Sequence, residues 1–114
     1  MDCLFCKIAE GKISSDKVYE DDSLIAFRDI NPQAPQHILI VPRKHIANVA
    51  ELQTADNELV AHIFVDVVPM LAKKIGVDEK GFRVVINTGE EGGQTVNHLH
   101  IHLIGGRKMT WPPG

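Results

Sequence analysis

The apolar positions of this chain come in short runs whose period changes along its length. Residues 17–20 (KVYE) predict a short strand, and Glu20-Asp21-Asp22-Ser23 the turn after it. Leu24-Ile25-Ala26-Phe27-Arg28-Asp29 predicts a second strand. Asn31-Pro32-Gln33-Ala34-Pro35 must be a loop, since two prolines cannot both sit in a paired ladder. His37-Ile38-Leu39-Ile40-Val41 is a third strand, ended by Pro42, with His37 on the face of Leu39 and Val41. Between 54 and 75 the rhythm becomes helical, with Val60, Ile63, Phe64, Val67, Val68, Leu71 and Ile75 forming one apolar stripe. Thr54 is its predicted N-cap and Gly76 its stop, while Pro69 predicts a kink near Val65. His62 falls beside the stripe and is expected on the surface. A fourth strand follows at 82–87, with Arg83, Val85 and Asn87 on one face.

The last alternation is the most regular. In His98-Leu99-His100-Ile101-His102-Leu103-Ile104 polar and apolar residues alternate strictly, so a strand here would carry three imidazoles in a row on one face. Alternate Cα atoms on a strand are about 6.6 Å apart, so one phosphate-sized ligand could touch two or three of them. Near the N-terminus, residues 3–10 (CLFCKIAE) predict one or two helical turns closed by Gly11. The set predicts an α+β domain spanning 1–114, with a mainly antiparallel sheet of about five strands, one long helix and one short one.

Composition narrows the function. The chain has 114 residues, 44% apolar and 24% charged, as ordinary globular proteins do. A net charge of −3 argues against a dedicated nucleic-acid binder, and no apolar run approaches the about 20 residues needed to span a bilayer. The segment beginning Met1-Asp2-Cys3-Leu4-Phe5-Cys6 lacks the basic-then-apolar pattern of a secretion leader, so a cytoplasmic location is expected. In that setting the two cysteines are expected as thiols or metal ligands rather than a disulfide.

Candidate chemistry concentrates in two places. Ahead of the histidines lies Gly92-Gly93-Gln94-Thr95-Val96-Asn97, a glycine-rich loop whose N–H groups can turn inward as a nest for anions, with Gln94 and Thr95 adding donors. Neutral imidazoles beside such a nest can attack phosphorus and protonate a leaving group. A metal site on the same histidines is the rival, but no Asp or Glu follows Glu91 to orient the ligands. The second place is Cys3-x-x-Cys6, half of a zinc site by spacing, which leaves zinc, buried structural thiols and a redox pair open; His45 and His98 are the available partners. The tail Trp111-Pro112-Pro113-Gly114 holds an aromatic on a stiff segment, either as an anchored end or as the wall of a binding site.

The stretch from Gly92 to Leu103 resembles the signature of the histidine triad (HIT) superfamily, and the segments Phe27 to Pro35 and His37 to Pro42 resemble its first half. The ending Gly105-Gly106-Arg107…Trp111-Pro112-Pro113-Gly114 is similar to the Hint branch, the purine nucleoside phosphoramidases. The resemblance implies a HIT fold and metal-free hydrolysis of nucleoside monophosphate conjugates. His100 would attack the α-phosphorus, His102 would contact phosphate and help protonate the leaving amine, and His37 would support that relay. Asn87, Gly93, Gln94 and Thr95 would line the phosphate and leaving-group site. Asp29 would hold ribose hydroxyls, and Phe5, Ile8, Phe27, Ile30 and Leu39 would sandwich a purine. The resemblance also implies a homodimer in which Trp111 reaches the partner's site. A structural zinc is implied on Cys3, Cys6, His45 and His98, which would withdraw His98, the first triad histidine, from proton transfer. Two positions depart from the Hint pattern: Asn97 stands where Tyr is common, and Thr95 replaces Ser. A dinucleoside polyphosphate hydrolase, or a nucleotide- and zinc-binding regulatory module, is the alternative.

Overall fold

The computed structural model describes residues 3–114; Met1 and Asp2, the start of the segment read for a leader, lie outside the described residues. Helix α1 (Leu4–Ala9) is followed by strands β1 (Lys17–Glu20), β2 (Leu24–Arg28) and β3 (Gln36–Pro42), then a long helix α2 over 57–74, then β4 (Phe82–Val85) and β5 (Ile101–Gly105). All neighbours are antiparallel, in the order β1-β2-β3-β5-β4, so β1 and β4 are the sheet's edges. The α+β architecture expected from the periodicity is therefore present.

Strand β3 is central and apolar on both faces. Ile38 and Ile40 join Leu24, Ala26, Ile101 and Leu103 in a core closed by Ile63, Val67, Val68 and Leu71 of α2. On the other face Leu39 and Val41 join Ile25 and Phe27 under Cys3, Phe5 and Ile8 of α1. His37 and His102 stand on this second face, since Leu39 pairs directly with His102 and the period of a strand is two.

Three expectations need correction. The seven-residue histidine strand is shorter than its pattern: pairing begins only at Ile101, opposite Ile40, and His98, Leu99 and His100 precede it. The reason lies on β3, where Pro42 has no N–H to extend the ladder. The N–H of Leu99 turns instead to the carbonyl of Ile46 at 2.6 Å. Thr54 is not the N-cap of the long helix. A 3-10 turn (Thr54–Asp56) precedes it, and the Asp56 carboxylate accepts the N–H of Gln53 at 2.9 Å. Around Pro69 the helix widens into a π-turn (His62–Val67), in which the N–H of Val68 reaches back to Ile63. Proline leaves the carbonyl of Val65 without its usual donor, and the wider turn absorbs the defect. Phe64, expected on the buried stripe, is 40% exposed as a result, beside Val65 at 71%.

His62 is on the surface but not idle. Its two ring nitrogens meet Asp21 at 2.7 Å and Asp66 at 2.9 Å, and Tyr19 donates to the same Asp21 oxygen at 2.7 Å. These groups clasp α2 to the β1–β2 turn. Hydrogen bonds donated to both carboxylates raise the His62 pKa. Burial opposes ionisation of Asp21, yet bonds from His62, Tyr19 and the N–H groups of Ser23 and Leu24 hold its carboxyl down to about 2.

Candidate active site and metal cluster

Backbone partners set the proton positions of the histidines, because a carbonyl can only accept and an N–H can only donate. His98 Nε2 lies 2.8 Å from the carbonyl of Pro42, so its proton is on Nε2 and the lone pair of Nδ1 points away. His100 Nδ1 lies 2.7 Å from the carbonyl of His98, so its proton is on Nδ1 and the lone pair of Nε2 is available. His37 Nδ1 accepts the N–H of Gln33 at 3.0 Å, so its proton is on Nε2. That proton faces His102 Nδ1 at 2.9 Å, which puts the proton of His102 on Nε2. His102 Nε2 is buried and has no hydrogen-bond partner among the described residues. Nε2 of His100 thus offers a lone pair and Nε2 of His102 an N–H, on rings whose centroids are 5.0 Å apart.

Burial, helped by the neighbouring His100 and His37, pushes the His102 pKa down to about 4. Burial also lowers His37, against the opposing pull of Asp29. His37 and His102 are therefore neutral near pH 7 in the ligand-free protein. Asp29, just past β2, donates its N–H to the carbonyl of His37 at 2.9 Å, and its Oδ2 lies 3.4 Å from His37 Nε2. The carboxylate missing from the sequence after Glu91 is supplied from this distant strand end. Asp29, His37 and His102 together have a donor set a metal could use. A proton on His37 Nε2, fixed there by Gln33, already fills that place.

The other expected site residues divide. Phe5, Ile8, Phe27 and Leu39 are buried together, with Phe5 edge-on to Phe27 at 5.8 Å and to His100 at 4.9 Å. Ile30 is fully exposed on the loop beyond Asp29, and Asn87 is half-buried just after β4. Thr95 and Gly93 are exposed in the glycine loop. Gly92 is obligatory there, since a Cβ would meet the carbonyl oxygen of Thr88 at 2.3 Å. Gln94 does not point a spare amide at an anion. Its oxygen accepts the N–H of Gly89 at 3.0 Å, and its nitrogen donates to the carbonyls of Ala47 at 2.7 Å and Val96 at 3.0 Å. It braces the loop. Trp111 is 82% exposed, and its neighbour Thr110 is tied through its carbonyl to Arg83 at 2.8 Å.

Beyond His98 the other half of the Cys3-x-x-Cys6 pattern is complete. Cys3 Sγ is 3.2 Å from His98 Nδ1, Cys6 Sγ is 3.3 Å from His45 Nδ1 and 3.5 Å from His98 Nδ1, and the two Nδ1 atoms are 3.2 Å apart. A tetrahedral zinc with ordinary bond lengths requires N–N edges of about 3.3 Å and S–N edges of about 3.6 Å. The four donors fit such an ion. Pro42 fixes the His98 tautomer that ligation needs, as an outer partner should. Burial, with the adjacent Cys3, pushes the Cys6 thiol up to about 11, so a bound cation is what would make it a thiolate.

An antiparallel sheet with a histidine cluster beside the apolar residues packed under α1, and a two-cysteine, two-histidine cluster behind it, defines a histidine-triad fold. The chain belongs to the HIT family: the HIT domain model matches residues 10–109. It is 51% identical to an uncharacterised HIT-like protein of Synechococcus elongatus, over 99% of this chain and 97% of that one. It is 46% identical to a maize protein described as a 14 kDa zinc-binding protein, over 97% and 87%. Among solved structures, a HIT family hydrolase of Legionella pneumophila superposes with a TM-score of 0.96 at 52% identity, covering 99% of this chain and all of that one. A histidine triad protein of Clostridium difficile gives 0.91 at 51%, covering 96% and 95%. No helix among the described residues is long and apolar enough to cross a membrane.

Proposed function

We propose that this protein is a nucleotidyl hydrolase of the Hint type, which cleaves purine nucleoside 5′-phosphoramidates to the nucleoside monophosphate and an amine. The observation that carries this reading is the pair of opposed roles on adjacent rings: an available lone pair on His100 Nε2 and an unpartnered N–H on His102 Nε2. His100 attacks phosphorus and forms a nucleotidyl-histidine. A P–N bond breaks poorly unless nitrogen is protonated, and His102 delivers that proton. Water then releases the monophosphate. Covalent catalysis divides one hard displacement into two easier ones.

Phe5, Ile8, Phe27 and Leu39 supply the apolar pocket for the purine, with Ile30 at its rim. Asp29 receives the ribose hydroxyls. Asn87, Gly93 and Thr95 line the phosphate side, which Gln94 shapes through the loop. A structural zinc is held by Cys3, Cys6, His45 and His98, in keeping with the maize relative's description, and takes no part in the reaction. The protein acts as one domain over 1–114, in the cytoplasm, as a homodimer. The unpaired edge of β4 and the exposed Phe64, Val65 and Trp111 suit that assembly.

The test is to mix the protein with an AMP–amine conjugate and follow AMP release, with diadenosine polyphosphate as competitor. Release of AMP by the native chain and not by His100→Ala is expected. Equal activity of the two removes the nucleophile assignment, and preference for the dinucleotide favours the polyphosphate hydrolase.

A further inference from the structure

The protons of the His37–His102 pair pose a problem that its tautomers make explicit. In the ligand-free arrangement each ring carries one proton, on His37 Nε2 and on His102 Nε2. If His102 gave its proton to a leaving nitrogen from this state, it would be left as an imidazolate, which is prohibitively basic. To end neutral it must begin with protons on both nitrogens. The anionic substrate brings that extra proton in with it, since a nearby negative charge favours the cationic form. With both nitrogens protonated, however, His102 Nδ1–H confronts His37 Nε2–H across a 2.9 Å gap. His37 cannot escape by moving its proton to Nδ1, because the N–H of Gln33 already occupies that lone pair.

Asp29 is the acceptor at hand. Its Oδ2 lies 3.4 Å from His37 Nε2, and one of its oxygens lies within 4.8 Å of a ring nitrogen of each histidine. Its other oxygen is held by the N–H of Asn31 at 2.8 Å, so the carboxylate is oriented rather than free to swing. Among the described residues the other titratable neighbour of the pair, His100, lies beside His102 and cannot carry a negative charge as an imidazole. We propose that Asp29 is the counter-charge of the His37–His102 pair, a positioning residue that accepts the displaced His37 N–H and so lets His102 hold the proton an amine leaving group requires. This role is additional to the ribose contact and rests on the phosphoramidase reading.

The proton count then closes over a turnover. As the bond from His100 Nε2 to phosphorus forms and the P–N bond breaks, the Nε2 proton of His102 goes to the departing nitrogen, which leaves as a neutral amine. His102 keeps its Nδ1 proton, and the positive charge passes to the nucleotidyl-imidazolium of His100. In the second step His102 Nε2 takes a proton from the attacking water. The oxygen bonds to phosphorus, and the electron pair of the P–N bond returns to His100. Throughout both steps His102 Nδ1 is protonated, so Asp29 is needed in each.

Leaving-group dependence tests this. Single-turnover release of the leaving group is measured for native protein and Asp29→Asn, with an AMP–alkylamine conjugate and with the p-nitrophenyl ester of AMP, whose leaving group needs no proton. Loss of a ribose contact slows both substrates alike and cancels in the ratio. The expected result is that Asp29→Asn lowers amine release by roughly 100-fold more than nitrophenolate release, the size of a general-acid contribution. An equal fall for both overturns the proposal. If native protein releases neither leaving group, the phosphoramidase reading fails, and the pairing is judged in the unsubstituted protein by NMR. The carboxyl carbon of Asp29 should then step at the pH where His102 gains its second proton; independent titration overturns the proposal. That NMR readout also decides the matter if the variant does not fold.

Discussion

His37 and His102 are diagonal neighbours across β3 and β5, and their facing nitrogens lie 2.9 Å apart. The contact follows from register: His37 pairs with Ile104 and Leu39 with His102, so both rings stand on the same face two residues out of step. It gives the half-buried His102 a neutral partner in place of water. An imidazole titration by NMR should therefore find His102 neutral, with its proton on Nε2, down to near pH 4 in ligand-free protein. Because its folded pKa lies below the unfolded value, its contribution to stability is complete above about pH 6.5 and declines as pH falls toward 4. Titration at an ordinary histidine value would show that the ring is not held as described.

The clasp on the far side of the sheet has the opposite sign. The His62 pKa is raised by Asp21 and Asp66, so its contribution is full below about pH 6.5 and is lost as pH rises through the raised value. His62→Ala should cost about 0.5–1 kcal/mol near pH 5.5, the modest value of a part-exposed ion pair, and less at pH 9. Urea unfolding at the two pH values measures it.

Metal should be found at about one zinc per chain by elemental analysis of protein purified without chelators. Cys6→Ser or strong chelation should lower the melting temperature clearly. The carbonyl of His98 holds His100 Nδ1 at 2.7 Å, so loosening His98 should also slow turnover, by roughly tenfold, as outer-shell changes do. Metal-free protein of unchanged stability would contradict the assignment.

Gly105→Ala tests the packing of β5 against the turn after α2. A Cβ at Gly105 would lie 2.7 Å from Cγ1 of the buried Val77, an overpacking that should cost about 1–3 kcal/mol. Val77→Ala in the same chain should recover part of the loss, measured by denaturant unfolding.

What could be read in the sequence was what repeats locally. Strand β3 and most of the long helix announce themselves by period, and Pro69 gave notice of the π-turn. Pro42 carried the equivalent warning for the histidine strand, because a ladder cannot pass it, but the strict alternation after His98 masks that break. The site was legible in its residue types and less so in its bonds. No spacing brings Asp29 to His37, since their meeting depends on the loop between β2 and β3 folding back. The tautomers depend on the carbonyls of Pro42 and His98, which any residue type supplies, and on the N–H of Gln33, which any residue type except proline supplies. Gln94 looks in sequence like a donor for phosphate, and only three-dimensional contacts reveal that its amide is already engaged.

The central claim is that His100 carries the nucleotide. Protein mixed with a purine phosphoramidate, quenched in base within milliseconds and digested, should yield one nucleotidyl group on the peptide containing His98 to His102, with fragmentation assigning it to His100. His100→Ala should carry none and should lose at least about 1000-fold in turnover. An adduct on His102, or full turnover with no adduct in either protein, would contradict the account.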